Sequence, residues 1–542
     1  MTTITRIAGP PGTGKTTELV KIYYESLKNY DPVDIVVISH TNTAANHIRG
    51  KISSNESIEE YMKETGHEVF DTIKNAKETL KKNVVTIHKF CKDRVKGESF
   101  KIEDYEILCN LHSEFNDPKE YLSVELLFKK HPFFKFMGFA RDNGKNFQDY
   151  YRSLTQEEKK KYKYSKDQLP DMERKYNSFK TNEKINGRAK VILDFQDMVE
   201  KFCDDSEVSD SVCKDIKVLI VDEAQDSSVI QRKAKKVMSK NVDYFYKAGD
   251  PDQSIFEFAG ADPHSFHIEF AKPEVELEQG YRCPRVINEY CKNIIKPIWD
   301  HYNYSRVWKP RKTKDGQIVE GELFEMSSLT QDPFAPELKN RILNTDQNFI
   351  FTYRGNEPTL MIDYLVQLGM PIKIPTDAKL KYKYPSVAIR NHRQFLNLLN
   401  GDKLSSGKIR SILKDTDPQY TINESVDSLE FSYDLNWLIK EKYFVPGVKD
   451  IADFQDIRKN KSSREANYIR KIINNDRDLV KKDRIFLENI HTVKGKEFHN
   501  VVLDLTLTRD EEDFAKRRMK FVACSRASET LWTIKSRNGY TL

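Results

Sequence analysis

The stretch Gly9-Pro10-Pro11-Gly12-Thr13-Gly14-Lys15-Thr16-Thr17 fits the pattern GxxxxGK(S/T), with the apolar Ile4, Ile7 and Ala8 before it and Leu19, Val20, Tyr23 and Leu27 at helical spacing after it. A strand, a glycine-rich turn and a helix in that order belong to an α/β fold with a parallel sheet. The glycines let backbone N–H groups turn inward around phosphates, Lys15 reaches the β- and γ-phosphates, and the Thr16 hydroxyl is placed to ligate Mg²⁺. Residues 9–17 are therefore the expected phosphate-binding segment.

Further short apolar runs recur at wide intervals: Ile35 to Ile38, Val84 to Ile87, Val218 to Val221, Tyr244 to Tyr246, Phe349 to Phe351 and Val501 to Leu505. Unbroken apolar runs of this length read as strands buried on both faces of a parallel sheet. They fall into two groups, before about residue 285 and after about residue 340, so two α/β lobes are expected.

Between the strands lie two stretches of another character. Residues from about 92 to 190 are rich in Phe, Tyr and Lys, and within them 151–190 carries 12 Lys/Arg against 6 Asp/Glu. That local excess of +6 equals the net charge of the whole chain, where Lys+Arg 89 oppose Asp+Glu 83. The second stretch, about 376 to 480, opens with Lys379, Lys381, Lys383, Arg390 and Arg393 interleaved with Tyr382 and Tyr384. Basic residues alternating with aromatics suit a surface that neutralises phosphates and stacks bases; the alternative is a solvated face with snorkelling side chains.

Composition excludes several classes. At 38% hydrophobic residues the 542-residue chain has material for several cores, and Gly 21 with Pro 20 is too little for a collagenous or low-complexity chain. The seven cysteines are scattered, with no CxxC pair and no zinc or iron–sulfur spacing, so reduced thiols are expected. The N-terminal segment has no basic region followed by an apolar one, and no window approaches a membrane span; a cytoplasmic location is expected.

The phosphate loop requires a carboxylate at the end of another buried strand. Val218-Leu-Ile-Val runs straight into Asp222-Glu223, with Gln225 and Asp226 following. Asp222 is placed to hold Mg²⁺, and Glu223 to orient and deprotonate the attacking water. These two motifs describe a nucleotide hydrolase.

Seven further elements carry a resemblance to superfamily 1 helicases of the UvrD/Rep type. Ser39-His40-Thr41-Asn42-Thr43-Ala44-Ala45 resembles the family's first DNA-contacting segment, and Thr86-Ile-His88-Lys-Phe90 its TFH segment. Gly249-Asp250-Pro-Asp252-Gln253-Ser254-Ile-Phe256-Glu-Phe258-Ala-Gly260-Ala261 is similar to GDxxQSIYxWRGA, and Leu277-Glu-Gln-Gly-Tyr281-Arg282 to LxxNYR. Tyr353-Arg354-Gly-Asn356 resembles YRTN, His491-Thr-Val-Lys494-Gly495-Lys-Glu497-Phe498 resembles HxxKGLEF, and Val522-Ala-Cys-Ser525-Arg526-Ala527 resembles VAxTRA.

The resemblance implies two RecA-like lobes with ATP between them, each lobe carrying a mostly helical insertion: 1–91 with 191–285 as the first lobe, 92–190 as its insertion, 286–375 with 481–542 as the second, and 376–480 as a short second insertion. It implies that Arg282 and Arg526 reach the phosphates, that Gln253 senses the γ-phosphate, that Tyr281 stacks on adenine, and that Glu497 contacts the ribose or links nucleotide to DNA. Arg suits this task because it is planar and permanently charged. Phe258 stands where the family stacks a tryptophan on a base, the alternative being a buried core Phe; Thr41, Asn42, His88, Arg354, Asn356 and His491 match positions lining the single strand.

The chain departs from the pattern in places. No glutamine stands among the eight residues before Gly9, where the family reads adenine; His40 replaces an aromatic, Ala259 an arginine and Gly280 an asparagine. Only 16 residues follow Arg526, so no appended nuclease domain is expected. The expected activity is ATP- and Mg²⁺-dependent 3′-to-5′ translocation on single-stranded DNA and unwinding at single/double-strand junctions, by a possible monomer. The alternatives are a translocase that remodels nucleoprotein or RNA without processive unwinding, and a DNA-binding scaffold with a vestigial ATPase.

Overall fold

A computed structural model of the chain describes residues 2–117, 121–156, 159, 165, 167–182, 191–329, 332–353, 359–374, 386–420, 429–444, 448–459, 463–475, 484–504 and 513–535. The chain forms two compact units, Met1–Tyr281 with Ile295–Lys309, and Arg282–Ile294 with Pro310–Leu542.

The first unit is built on six strands: β1 (Thr3–Ala8), β2 (Ile35–Ser39), β3 (Val84–Thr86), β4 (Val218–Val221), β5 (Tyr244–Gly249) and β6 (Val275–Glu276). They lie in the order β3-β2-β4-β5-β1-β6, with every neighbouring pair parallel. Ile35 to Ile38 and Val218 to Val221 are buried along their whole length, as strands covered by helices on both faces must be. One face packs against the helix Lys15–Ser26 through Leu19, Val20 and Tyr23; the other packs against Phe90, Val199, Phe202 and Ala234.

Because all six strands run the same way, their carboxyl ends share one edge, and the sheet order arranges the loops that leave those ends. From one side to the other that edge presents Thr86 at the end of β3 and His88 after it, Thr41 and Asn42 after β2, Asp222 and Glu223 after β4, Asp250 to Gln253 after β5, and the glycine-rich loop after β1. Crevices outside the carboxyl ends are where open α/β sheets bind ligands.

Between Glu98 and Leu193 the chain leaves this sheet to form a helical body with its own core of Phe100, Phe115, Phe133, Phe134, Phe136, Tyr176 and Phe179. A two-stranded parallel pairing of Glu98–Ser99 with Ile192–Leu193 ties the exit to the return. The aromatic excess noted in the sequence is thus largely core in this segment.

The second unit repeats the plan with β7 (Glu322–Met326), β8 (Phe349–Tyr353), β9 (Ile372–Lys373), β10 (Ile485–Asn489), β11 (Phe498–Asp504) and β12 (Ala527–Ile534), in the order β9-β10-β8-β11-β12-β7, again all parallel. A separate core of Phe395, Ile409, Leu438, Phe444 and Phe454 belongs to a helical body from its middle. Both sheets are α/β and parallel, as the apolar runs predict. Residues 295–309, which the sequence reading groups with the second lobe, pack in the first unit, because Trp299, Tyr304 and Arg306 bond to Asp250 and Asp252 there. Among the described residues no helix is long and apolar enough to cross a membrane.

Candidate nucleotide-hydrolysis site

The loop after β1 turns at Gly14, whose φ of 88° only glycine adopts without strain, and delivers Lys15 as the first residue of a 12-residue helix. The Lys15 side chain folds back over the loop, donating to the Gly9 carbonyl at 2.6 Å and the Pro10 carbonyl at 3.3 Å. Burial lowers its pKa, an effect opposed by the carboxylates of Asp250, Glu223 and Asp222. A buried ammonium at a helix N-terminus, bonded to two backbone carbonyls, fits an incoming polyphosphate. Thr13 Oγ1 bonds to the Pro10 carbonyl at 2.8 Å and stiffens the loop, while Thr17 is exposed and accepts from Lys51 Nζ at 3.1 Å.

Thr16 Oγ1 donates to Asp222 Oδ2 at 3.3 Å, so the hydroxyl after the lysine and the first acid after β4 face each other. Burial, reinforced by Glu223, pushes the Asp222 carboxyl above the usual carboxylate range, while Lys15 opposes the shift. A carboxylate and a hydroxyl so paired form the oxygen donor set that suits Mg²⁺, a hard cation that takes one or two protein oxygens beside phosphate and water.

Glu223 has φ 49° and ψ 46°, a left-handed conformation that a β-substituted residue enters at a cost. Its Oε2 accepts from Gln225 Nε2. Gln225 in turn takes the Asp250 N–H on Oε1 at 3.1 Å and the Ser254 hydroxyl on its carbonyl at 3.1 Å. One glutamine therefore joins the acid after β4 to the loop after β5. Gly249 leaves room for it, since a Cβ there would lie 2.7 Å from Gln225 Oε1. In that loop Asp250 Oδ2 holds Gln253 Nε2 at 2.6 Å, and both residues are buried.

Tyr281 completes the first unit's group. Its N–H donates to the Gly12 carbonyl at 2.8 Å and its ring is 69% exposed beside Gly14, free to meet a flat ligand. In the second unit Arg282 Nε donates to Glu497 Oε2 at 2.9 Å and Nη1 to the Ser525 carbonyl at 3.3 Å. Arg526, 2% exposed, is anchored by Nε on the Val522 carbonyl and by Nη2 on Ser525 Oγ, both at 2.9 Å. The structure brings Arg282, Glu497 and Arg526 together at the amino ends of β11 and β12.

The strand-contacting candidates lie elsewhere. Phe258 is 46% exposed, which removes the core alternative; its ring meets Phe256 at 6.0 Å and Phe139, of the helical body, at 5.5 Å. His40 meets Phe256 at 5.1 Å, so the imidazole that replaces an aromatic still joins the row. Thr41 caps the helix Asn42–Ile52 by accepting from the Ala44 N–H, and Asn42 is exposed beside it. His88 is turned edge-on against Phe195, its Nε2 buried; burial pushes its pKa down to about 4, leaving a neutral ring at pH 7. His491 follows β10, with Nδ1 2.9 Å from Asn489 Oδ1. Arg354 and Asn356, like Lys379, Lys381, Lys383, Tyr382 and Tyr384, lie outside the described residues.

Sequence reasoning assigned no role to Gln225 or Asp250, although both sit inside recognised motifs; their adjacency to Glu223 and Gln253 was the available signal. It gave no sign of Trp299, Tyr304 and Arg306, which meet the Asp250–Asp252 turn from about fifty residues downstream.

Residues 1–272 match the sequence model of the family described as UvrD/REP helicase N-terminal domain. Among curated proteins, the chain is 23% identical over 402 residues to the ATP-dependent DNA helicase Rep of Buchnera aphidicola subsp. Baizongia pistaciae, covering 68% of this chain and 53% of that one. It is 22% identical over 524 residues to the protein of the same name in Buchnera aphidicola subsp. Schizaphis graminum, covering 89% and 70%. It is 25% identical over 312 residues to a probable DNA helicase II homolog of Mycoplasma genitalium, covering 53% and 40%. The match spans about half the length of the first of these relatives.

Proposed function

The chain belongs to the UvrD/REP helicase family, and from that premise we propose that it is an ATP-dependent motor on single-stranded DNA that moves 3′-to-5′ and unwinds duplexes at single/double-strand junctions. The observation that carries this reading is the continuous chain of contacts from Thr16 through Asp222, and from Glu223 through Gln225 and Asp250 to Gln253, at one edge of one sheet.

In the proposed reaction Lys15 exchanges the Gly9 and Pro10 carbonyls for phosphate oxygens. Thr16 and Asp222 hold Mg²⁺, which when bound neutralises charge on those oxygens. Glu223 accepts the proton of the water that attacks the γ-phosphorus as the bond to ADP breaks. Gln253 reads the γ-phosphate, and Arg282 and Arg526 neutralise charge that develops on it. Tyr281 stacks on the base, and Glu497 orients Arg282. The two lobes, each with its helical insertion, alternate between closed and open as nucleotide binds and is hydrolysed, and Phe258 releases and re-engages a base in each cycle. Thr41, Asn42, His88, Arg354, Asn356 and His491 line the strand. The protein works in the cytoplasm.

Strand displacement on 3′-tailed, 5′-tailed and RNA duplexes with ATP, GTP and dATP tests this proposal. Unwinding of 3′-tailed DNA with ATP is the expected result. Translocation without displacement would favour nucleoprotein remodelling, and phosphate release indifferent to DNA would favour a scaffold.

A further inference from the structure

Arg306 is a buried cation that no motif contains. Its side chain is 3% exposed, and Nη1 donates to Asp250 Oδ1 at 2.9 Å, in a carboxylate that is itself fully buried. The opposite oxygen, Oδ2, holds Gln253 Nε2 at 2.6 Å. The main-chain N–H of Asp250 reaches Gln225, which bonds to Glu223. Asp250 is thus the junction between the glutamine after β5 and the acid after β4, and Arg306 is the cation that balances its charge.

The segment carrying Arg306 is itself fixed. Lys309 N–H donates to the Glu278 carbonyl and Gly280 N–H to the Lys309 carbonyl, while the neighbouring Tyr281 N–H bonds to Gly12 of the phosphate loop. Trp299 Nε1 and the Tyr304 hydroxyl close on Asp252 at 2.7 and 2.9 Å. Arg306 also lies near enough to Lys15 for its charge to oppose that of the ammonium.

Stability alone does not account for such a group. A buried ion pair is commonly replaced by apolar side chains without loss, and Arg306 Nη2 is buried with no acceptor among the described residues, a further cost. What an apolar filler could not do is donate to Asp250 Oδ1, the oxygen that also takes the Asp252 N–H at 3.1 Å, and so keep Oδ2 turned toward Gln253.

We propose that Arg306 is a positioning residue for nucleotide hydrolysis: its guanidinium locks Asp250, and through Asp250 it holds Gln253 in register with the γ-phosphate. This rests on the hydrolase reading above. Losing the Nη1 contact lets Asp250 rotate and Gln253 drift, which slows turnover and weakens discrimination between di- and triphosphate while leaving the loop that grips the other phosphates in place.

The test compares wild type with R306K, R306Q, D250N and the double variant R306Q/D250N, measuring DNA-stimulated kcat and KM, equilibrium affinities for ADP and for a non-hydrolysable ATP analogue, and Tm. Lysine keeps the charge but not the planar geometry, so R306K is expected to lower kcat about tenfold and R306Q about 100-fold, with KM and ADP affinity within about threefold. Affinity for the analogue falls about fivefold in both, and the double variant is no slower than D250N alone, because the two residues act as one unit. Should R306Q fail to fold, R306K carries the test.

Wild-type turnover in both Arg306 variants would overturn the proposal, as would a loss of ADP affinity in step with kcat and Tm, the signature of a merely structural role. A wild-type protein that hydrolyses no nucleotide would overturn the hydrolase reading and this role with it. The two failures are therefore told apart by the wild-type arm.

Discussion

Thr16 Oγ1 and Asp222 Oδ2 stand 3.3 Å apart although 206 residues separate them in the chain. That contact exists because β1 and β4 end at the same edge of a parallel sheet, with β5 between them. Burial lowers the pKa of the loop lysine beside Thr16, and the charges of Asp250, Glu223 and Asp222 oppose that shift.

Lys15→Ala removes that charge without touching the strand-contacting loops. DNA-stimulated ATP turnover is expected to fall at least about 100-fold, with single-strand affinity within about threefold. Phosphate release and fluorescence anisotropy on labelled oligonucleotide check the two halves, and retained unwinding would sink the mechanism.

Gly249→Ala places a methyl 2.7 Å from Gln225 Oε1 and 2.7 Å from Phe266 Cζ, and neither neighbour is an exposed chain end. Overpacking of this kind costs about 1–3 kcal/mol, and the displaced Gln225 releases Glu223. The variant is expected to melt lower and to lose kcat by more than its residual folded fraction explains. Thermal unfolding and turnover on one preparation decide the point.

Arg526→Ala is expected to reduce kcat about 1,000-fold, in line with arginines that stabilise phosphoryl-transfer charge, while nucleotide affinity changes less than about fivefold. Its backbone-anchored guanidinium makes Arg526→Lys a poor substitute, since lysine cannot bond the Val522 carbonyl and Ser525 Oγ from one plane. Equal losses in binding and turnover would argue against the role.

Phe258→Ala removes an exposed ring braced by Phe256 and Phe139. Base stacking of about 1–3 kcal/mol implies roughly tenfold weaker single-strand binding, with Phe258→Trp close to wild type. Unchanged anisotropy titrations for the alanine variant would remove Phe258 from the strand path.

His392 is buried against Phe454, and burial depresses its pKa to about 4. A neutral buried imidazole must gain a proton to match the unfolded chain below pH 6.5, so its contribution is complete above that pH and is lost as pH falls toward 4. The cost by pH 4.5 is about 2–3 kcal/mol. Urea unfolding at pH 7 and pH 4.5 is expected to show a shallower acid loss in His392→Phe than in wild type; equal losses would contradict the assignment.

The residues that act locally were legible in the chain. Glycines before Lys15 dictate a left-handed turn at Gly14, and apolar runs such as Val218 to Val221 dictate buried strands because alternation is absent. Those patterns name Lys15, Thr16, Asp222 and Glu223 without reference to the fold. Short strands such as β6 and β9, two residues each, left no periodic signal and emerge only from pairing.

Sequence could not order the strands. Parallel neighbours need a crossover of about a dozen residues or more, with no upper limit on its length, so β5 lies beside β1 although some 235 residues intervene between their ends. That order decides which motifs share the phosphate end of the edge and which share the end where His88 and Thr41 stand. Nor could sequence reveal that the Phe258 ring is exposed while the His88 ring is turned inward, or that Arg306 closes on Asp250, because burial and ion pairing are properties of neighbours brought together by folding. The chain itself specifies the chemical groups and the local turns that carry them; their assembly into one site comes from the packing of the sheet.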